Sequence, residues 1–347
     1  MKALEGRNCS LGRSVEGGLA ESLYSHYYPL LLGLGVSGNV AASILYLHPY
    51  LSSVPAVRLL LVKALANTGF LLALIPNFIF HVASDPYEWA DFYFASLPRV
   101  SFAANTFSTI ANWMTVGVGV EQLLLVVCPL SSRSWLEIHS FVLAAAVSAL
   151  LLELQPLIVQ QPILCSPSHP FWTLKFRKEY QSYAMVSTWL HFIFALLLPL
   201  GILAYCAWAL WMRLFRKNRF SSASLERQVV IRLALATTLS HLLLEMPVGV
   251  VAGLWVSIPL SGASVLVDFG NFASLTNAAL PFFLFLLCSR RFRSLAGAVF
   301  VPCLAGPLPP PPAPRNSLLP NSSNGRLLVL KADTEDRRLS NLSCNNL

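Results

Sequence analysis

Charge is what this sequence has least of. Only 12% of its 347 residues are Asp, Glu, Lys or Arg, against roughly a quarter in an ordinary globular protein. That scarcity excludes the two soluble domains the length alone would allow. Catalytic signatures are missing as well: there is no His-Glu-x-x-His, Cys-x-x-Cys, Gly-x-Ser-x-Gly or glycine-rich phosphate loop. The seven histidines are scattered without ligand spacing, so neither an enzyme, a metal centre nor a cofactor is expected. No apolar stretch precedes residue 27, so no cleaved secretory signal is expected and the first span itself directs insertion. No internal repeat is visible, which weighs against a transporter or channel.

What the chain has instead is apolar length. Hydrophobic residues make up 55% of it, and they fall into seven runs, at about 27–47, 57–80, 100–128, 138–160, 183–212, 229–256 and 263–288. Each meets the ~20 residues needed to cross a bilayer core. The expected fold is an all-α membrane protein, a seven-helix transmembrane bundle. Basic residues in short loops set its orientation. Arg213, Arg216, Lys217, Arg219, Arg227 and Arg232 follow the fifth run, and Arg290, Arg291 and Arg293 follow the seventh. The loop after the second run is acidic, with Asp85, Glu88 and Asp91 against Arg99. One loop runs the other way, because Lys175, Arg177 and Lys178 lie between runs four and five. The balance puts the N-terminus outside and the C-terminus in the cytosol. The formal charge of +8 then belongs to the inner membrane surface and its lipids rather than to nucleic acid.

Three regions follow. Residues 1–26 form an extracellular leader in which Asn8-Cys9-Ser10 is a glycosylation sequon. Residues 27–300 form the bundle, ending in a short amphipathic helix from Ser289 to Val299 on the inner leaflet. Residues 301–347, opening on Pro307 and Pro309-Pro310-Pro311-Pro312, form a disordered cytoplasmic tail. Ser317, Ser322, Ser323, Thr334, Ser340 and Ser343 are phosphorylation candidates there, and Cys303 is a candidate for palmitoylation.

Carboxylates within apolar runs are costly, at ~2.5 kcal/mol or more each, and mark functional sites by default. Glu245, two residues before Pro247, is the foremost. It serves either as an anionic point in a ligand pocket or as a hydrogen-bond partner of His241 or a neighbouring helix. Asp268 is a second acid at a pocket rim or a solvated helix end, and Trp113, Phe192 and Phe194 either line the pocket or pack. Glu153 lies in the fourth run with no assigned role. Asn39, Asn67 and Asn277 are expected to hydrogen-bond between helices.

Particular motifs carry a family likeness. Gly38-Asn39-Val40, Leu65-Ala66-Asn67 with Pro76, Glu121-Gln122-Leu123 ahead of Cys128-Pro129-Leu130, and Pro199 resemble the rhodopsin-like G-protein-coupled receptors over residues 27–300. Leu244-Glu245-Met246-Pro247-Val248-Gly249, with Asp268, Leu275, Asn277, Phe282, Phe285 and Ser289-Arg290-Arg291-Phe292-Arg293, is similar to invertebrate myosuppressin and FMRFamide peptide receptors. The likeness implies a plasma-membrane receptor for an extracellular neuropeptide, coupled to a heterotrimeric G protein. It implies ligand contacts at Glu245, Asp268, Trp113 and His241, and a G-protein-facing surface of Glu121, Gln122, Arg213, Arg216, Lys217 and Arg232. Glu121 would pair with Arg133 or Arg232, or face the cytosol. The departures are specific. Gln122 stands where the class has arginine, Pro281 and Phe285 replace the Asn and Tyr of the seventh span, Asn67 replaces a sodium-binding Asp, and the cysteine atop span three is absent, with Leu97 near its place. The missing partner leaves Cys9 and Cys165 as a candidate disulfide, or as two free thiols. The altered inner motifs imply, alternatively, an atypical receptor that binds without conventional coupling.

Overall fold

The computed structural model describes residues 26–52, 54–82, 86–127, 135–164, 172–216, 235–247, 250 and 264–301. Expectations for Asn8, Cys9, Cys165, Arg133, Lys217, Arg232 and the tail lie outside those residues, as do the side chains of Asp268, Arg213 and Arg216.

Long apolar runs leave the backbone no polar partner but itself, so they become helices. Among the described residues, five helices are long and apolar enough to cross a membrane: Tyr28–Leu47, Pro55–Phe80, Phe92–Val127, Glu137–Val159 and Gln181–Met212. A sixth is made if Phe269–Ala279 and Pro281–Cys288, bent by 50°, count as one span. Of the expected span at 229–256, residues 235–247 are helical and much of the remainder lies outside the described residues. Their outward surfaces carry Leu47, Leu143, Leu151, Met185, Trp208, Leu243 and Leu287, all highly exposed. Apolar surface on that scale is intolerable in water and normal against lipid. The molecule fits a helical, multi-pass membrane protein.

Proline punctuates most of these helices. Helix α1 is Tyr28–Leu47; α2, Pro55–Ala73, breaks at Leu74 before α3, Ile75–Val82, which carries Pro76 at its second residue. Helix α4 runs unbroken from Pro86 to Val127 through Pro98. At 1.5 Å per residue its 42 residues span about 60 Å, roughly twice the ~30 Å hydrocarbon core. The expected start at 100 is therefore too late: Glu88 and Asp91, read as loop acids, fall on its first turns. Helix α5, Trp135–Leu152, is followed after two residues by α6, Gln155–Val159, with Pro156 in its first turn. An antiparallel ribbon, β1 Gln160–Leu164 with β2 Trp172–Phe176, pairs Gln160 with Phe176 and Leu164 with Trp172. It was not expected, and it carries Lys175 of the oppositely charged loop. Helix α7, Gln181–His191, passes through a π turn at Phe192–Leu197 into α8, Leu198–Arg216. Helix α9 is residues 235–247. Helices α10, Ser264–Ala279, and α11, Pro281–Cys288, form the bent pair.

The third span is the axis of the bundle. Its apolar window is 61% buried, against 28% for the fourth. Helix α2 packs along it most extensively, and small residues allow the close approach. A methyl group on Gly69 would lie 2.8 Å from the Phe107 ring, and one on Gly35 would meet Leu71 Cδ1 at 2.7 Å and Ala279 Cβ at 3.0 Å.

The expected amphipathic helix is present as α12, Arg290–Phe300. Ser289 caps it, its Oγ accepting from the Phe292 N–H at 3.1 Å. Phe292, Leu295 and Ala296 bury against Ala42, Leu45, Tyr46, Val57 and Phe285. Arg293 donates to the Leu286 and Leu287 carbonyls at 2.6 and 2.8 Å, closing the end of α11, where a cation suits the helix dipole.

Candidate functional site

At the Tyr28 end the helices part around a cavity of about 350 Å³, at the small end of ligand sites. Helices α1, α4, α9 and α10 and the α2–α3 pair line it, together with His191, the last residue of α7, and the turn that follows. One wall is aromatic. Tyr28 stacks on Phe78 with ring centres 5.5 Å apart, meets Phe272 edge-on at 6.2 Å, and donates its hydroxyl to the Leu74 carbonyl at 3.1 Å. That carbonyl sits at the break where α2 ends. The remaining walls are mixed: Asn77, Tyr93, Asn105, Asn112, Asn271 and Ser274 line the space beside Leu97, Val100, Leu196 and Leu275. The Tyr93 hydroxyl donates to Asn77 Oδ1 at 3.0 Å.

Glu245 on α9 lines the same cavity and is only 3% exposed. Its Oε1 accepts from Asn277 Nδ2 at 2.9 Å and its Oε2 from Ser274 Oγ at 3.3 Å. A carboxylate offers about four acceptor positions, so two are unfilled among the described residues. The second hydrogen of Asn277 Nδ2 points to His241 Nδ1, 2.9 Å away. Glu245 and His241, one turn apart on α9, therefore do not bond to each other. Asn277 bridges them from α10, and since its amide nitrogen can only donate, His241 Nδ1 accepts.

Beneath this bridge lies Lys63 on α2, 2% exposed, with no hydrogen-bond partner for Nζ among the described residues. It is within electrostatic reach of both Glu245 and His241. Sequence reasoning passed over it, although the rule that marked Glu245 applies equally: a lysine eight residues into a spanning helix is an intramembrane charge. Asn67, one turn along, is also buried with Nδ2 unpartnered among the described residues.

A second polar link crosses the bundle higher up. Glu153, 3% exposed, accepts at Oε1 from Thr109 Oγ1 at 2.8 Å and contacts His191 Nδ1 at 2.7 Å. Thr109 and His191 both line the cavity. The role left open for Glu153 is thus to join the third, fourth and fifth spans at the cavity wall. Nearby, Pro199 has no N–H to give the Ala195 carbonyl four residues back, and Asn112 Nδ2 supplies a donor to it at 3.3 Å.

The other expected residues distribute as follows. Trp113 packs with Leu59, Met114, Val118 and Ile138 between the second, third and fourth spans, away from the cavity lining; its helical phase turns it a quarter-circle from Asn112. Phe194 is exposed on the outside, and Phe192 packs edge-on against Trp189. Asn39 donates to the Gly35 and Ala278 carbonyls at 2.8 and 2.9 Å, tying α1 to the bent pair. Glu121 and Gln122 are buried, at 3% and 1% exposure, so Glu121 does not stand open to solvent. Both polar atoms of Gln122 lack partners among the described residues.

No protein family matches the sequence, and no curated protein matches it either.

Proposed function

We propose that the chain is a seven-span receptor of the plasma membrane, N-terminus outside, that binds an extracellular ligand in the cavity at the Tyr28 end. The observation that carries this reading is Glu245: a membrane-buried carboxylate lining a cavity of mixed polar and apolar walls, with two acceptor positions unfilled among the described residues. In this reading α9 is the middle of the remaining span. The cavity volume admits one or two side chains, not a folded partner, which suits the end of a peptide whose other residues rest on the outer loops. A guanidinium would give Glu245 a charge-assisted, two-pronged contact, so the ligand class is a peptide with an arginine near its end, of the FMRFamide or myosuppressin type. Ligand binding would shift the population of helix arrangements, with Pro247 and the break before Pro281 as the places to bend. The basic segments at 213–232 and 290–293 would meet a G protein or anionic lipid.

A screen of amidated neuropeptides on cells expressing the chain, read separately by binding and by G-protein signalling, tests both halves. Saturable binding of arginine-ended peptides is expected. Binding without signalling would select the decoupled form of the receptor, for which Gln122 speaks, buried and without a partner among the described residues. A second reading is a transporter, favoured by Lys63 lying within reach of Glu245 and by the 50° break in the last span. Substrate-driven uptake into reconstituted vesicles, with no peptide binding, would establish it instead.

A further inference from the structure

His191 offers the cavity a group that Glu245 does not explain. Its ring lines the space, its side chain is 31% exposed, and Glu153 behind it is 3% exposed. The 2.7 Å contact between Nδ1 and Glu153 Oε1 requires a single proton between them. Oε1 already accepts the Thr109 hydroxyl at 2.8 Å, so Nδ1 is the donor in the contact with it. With Nδ1 as the donor, the neutral form of the ring carries its lone pair on Nε2, the nitrogen pointing away from Glu153. Nε2 has no hydrogen-bond partner among the described residues. A histidine that only stapled the fourth span to the fifth would need neither a place in the lining nor a free second nitrogen. The arrangement is that of a positioned acceptor, with orientation and tautomer fixed from behind by a buried acid that is fixed in turn by Thr109.

We propose that Thr109, Glu153 and His191 form a recognition arm that presents His191 Nε2 to the ligand as a hydrogen-bond acceptor. The cavity then selects a ligand bearing an N–H donor beside its cationic group. This inference rests on the receptor reading and deepens it. Glu245 takes the cation, and His191 distinguishes an amide end, which has N–H to give, from an ester end, which has none. Glu153 is a positioning residue: a glutamine there donates to Nδ1, reverses the tautomer and turns Nε2 into a donor.

The test pairs two probes, Arg-Phe-amide and Arg-Phe methyl ester, with membranes carrying the full chain or its His191→Phe and Glu153→Gln variants, each checked for surface expression. In the unaltered chain the amide is expected to bind about tenfold more tightly than the ester, the worth of one net hydrogen bond. In His191→Phe and in Glu153→Gln the two probes are expected to bind within about twofold of each other. A tenfold preference surviving in His191→Phe overturns the arm, whatever that variant does to stability. Carbethoxylation of intact cells by diethyl pyrocarbonate gives a readout free of any peptide, because it requires an accessible imidazole lone pair. Modification of His191 is expected, and faster than in Glu153→Gln; equal rates, or a His191 that resists the reagent, overturn the proposal. If neither probe binds and the labelling pattern holds, the arm stands and the peptide-receptor reading falls.

Discussion

At the level of single residues, the interior is organised by pairs of polar groups that each solve the other's desolvation. Glu245 would be prohibitive in hydrocarbon alone; Asn277 and Ser274 each donate one hydrogen bond to its oxygens and Lys63 offsets its charge. Removing either charge leaves the other buried and uncompensated, the costlier condition. Lys63→Met and Glu245→Gln are each expected to lower the thermal midpoint of the detergent-purified protein, and the double variant to lose less than the sum by about 1–3 kcal/mol. Strict additivity would mean that the two charges ignore each other. Asn112 makes a similar case. Asn112→Leu is expected to cost about 1–2 kcal/mol, and markedly less in a Pro199→Ala background, where a backbone N–H can again reach the Ala195 carbonyl. Denaturation of the four proteins measures it. Glu245 and the three asparagines stood out in the sequence because a polar residue in a long apolar run is conspicuous. Lys63 was equally conspicuous and was hidden only by the habit of counting basic residues as loop markers. That Asn277 mediates between His241 and Glu245 was not legible, since it depends on the relative rotation of two helices.

Among the elements, helix positions follow from apolar length and proline, while helix contacts follow from the smallest side chains. The first five runs read from the sequence and the last coincide with the five candidate spans and the bent pair, apart from the start of the third. The misplaced start of α4 has a clear cause. Hydropathy marks where a helix is greasy, not where it begins, and the polar turns before residue 100 continue the same hydrogen-bonded ladder. The ribbon at 160–176 was invisible for a similar reason: two five-residue strands beside masking apolar runs give too little alternation to register. Close packing between α2 and α4 depends on Gly69 facing Phe107. Gly69→Ala is expected to destabilise the bundle by about 1–3 kcal/mol, and Phe107→Leu to recover much of that loss in the double variant, judged by thermal unfolding. At the other end, Ser289→Ala removes the cap of α12 and is expected to cost about 1 kcal/mol. Phe292→Ala should cost more, because that ring fills the cluster between α1 and α11.

Across the whole molecule, apolar surface is turned outward and polar chemistry inward, the arrangement a bilayer demands and water forbids. The sequence carried this much plainly: scarcity of charge, apolar runs of membrane length and a helical bundle. It could not carry the cavity, which arises where six segments separate, nor the fact that Trp113 faces away from it while His191 faces in. The functional reading turns on whether Glu245 receives a ligand's cation. The most direct measurement is therefore the affinity of the best arginine-ended peptide for the unaltered chain and for the Lys63→Met, Glu245→Gln double variant, which keeps the interior electrically neutral and so preserves the fold. Binding is expected to weaken by a hundredfold or so, the ~2–3 kcal/mol of a charge-assisted contact, with surface expression unchanged. An affinity that stays the same in the neutral variant would contradict Glu245 as the ligand's anchor.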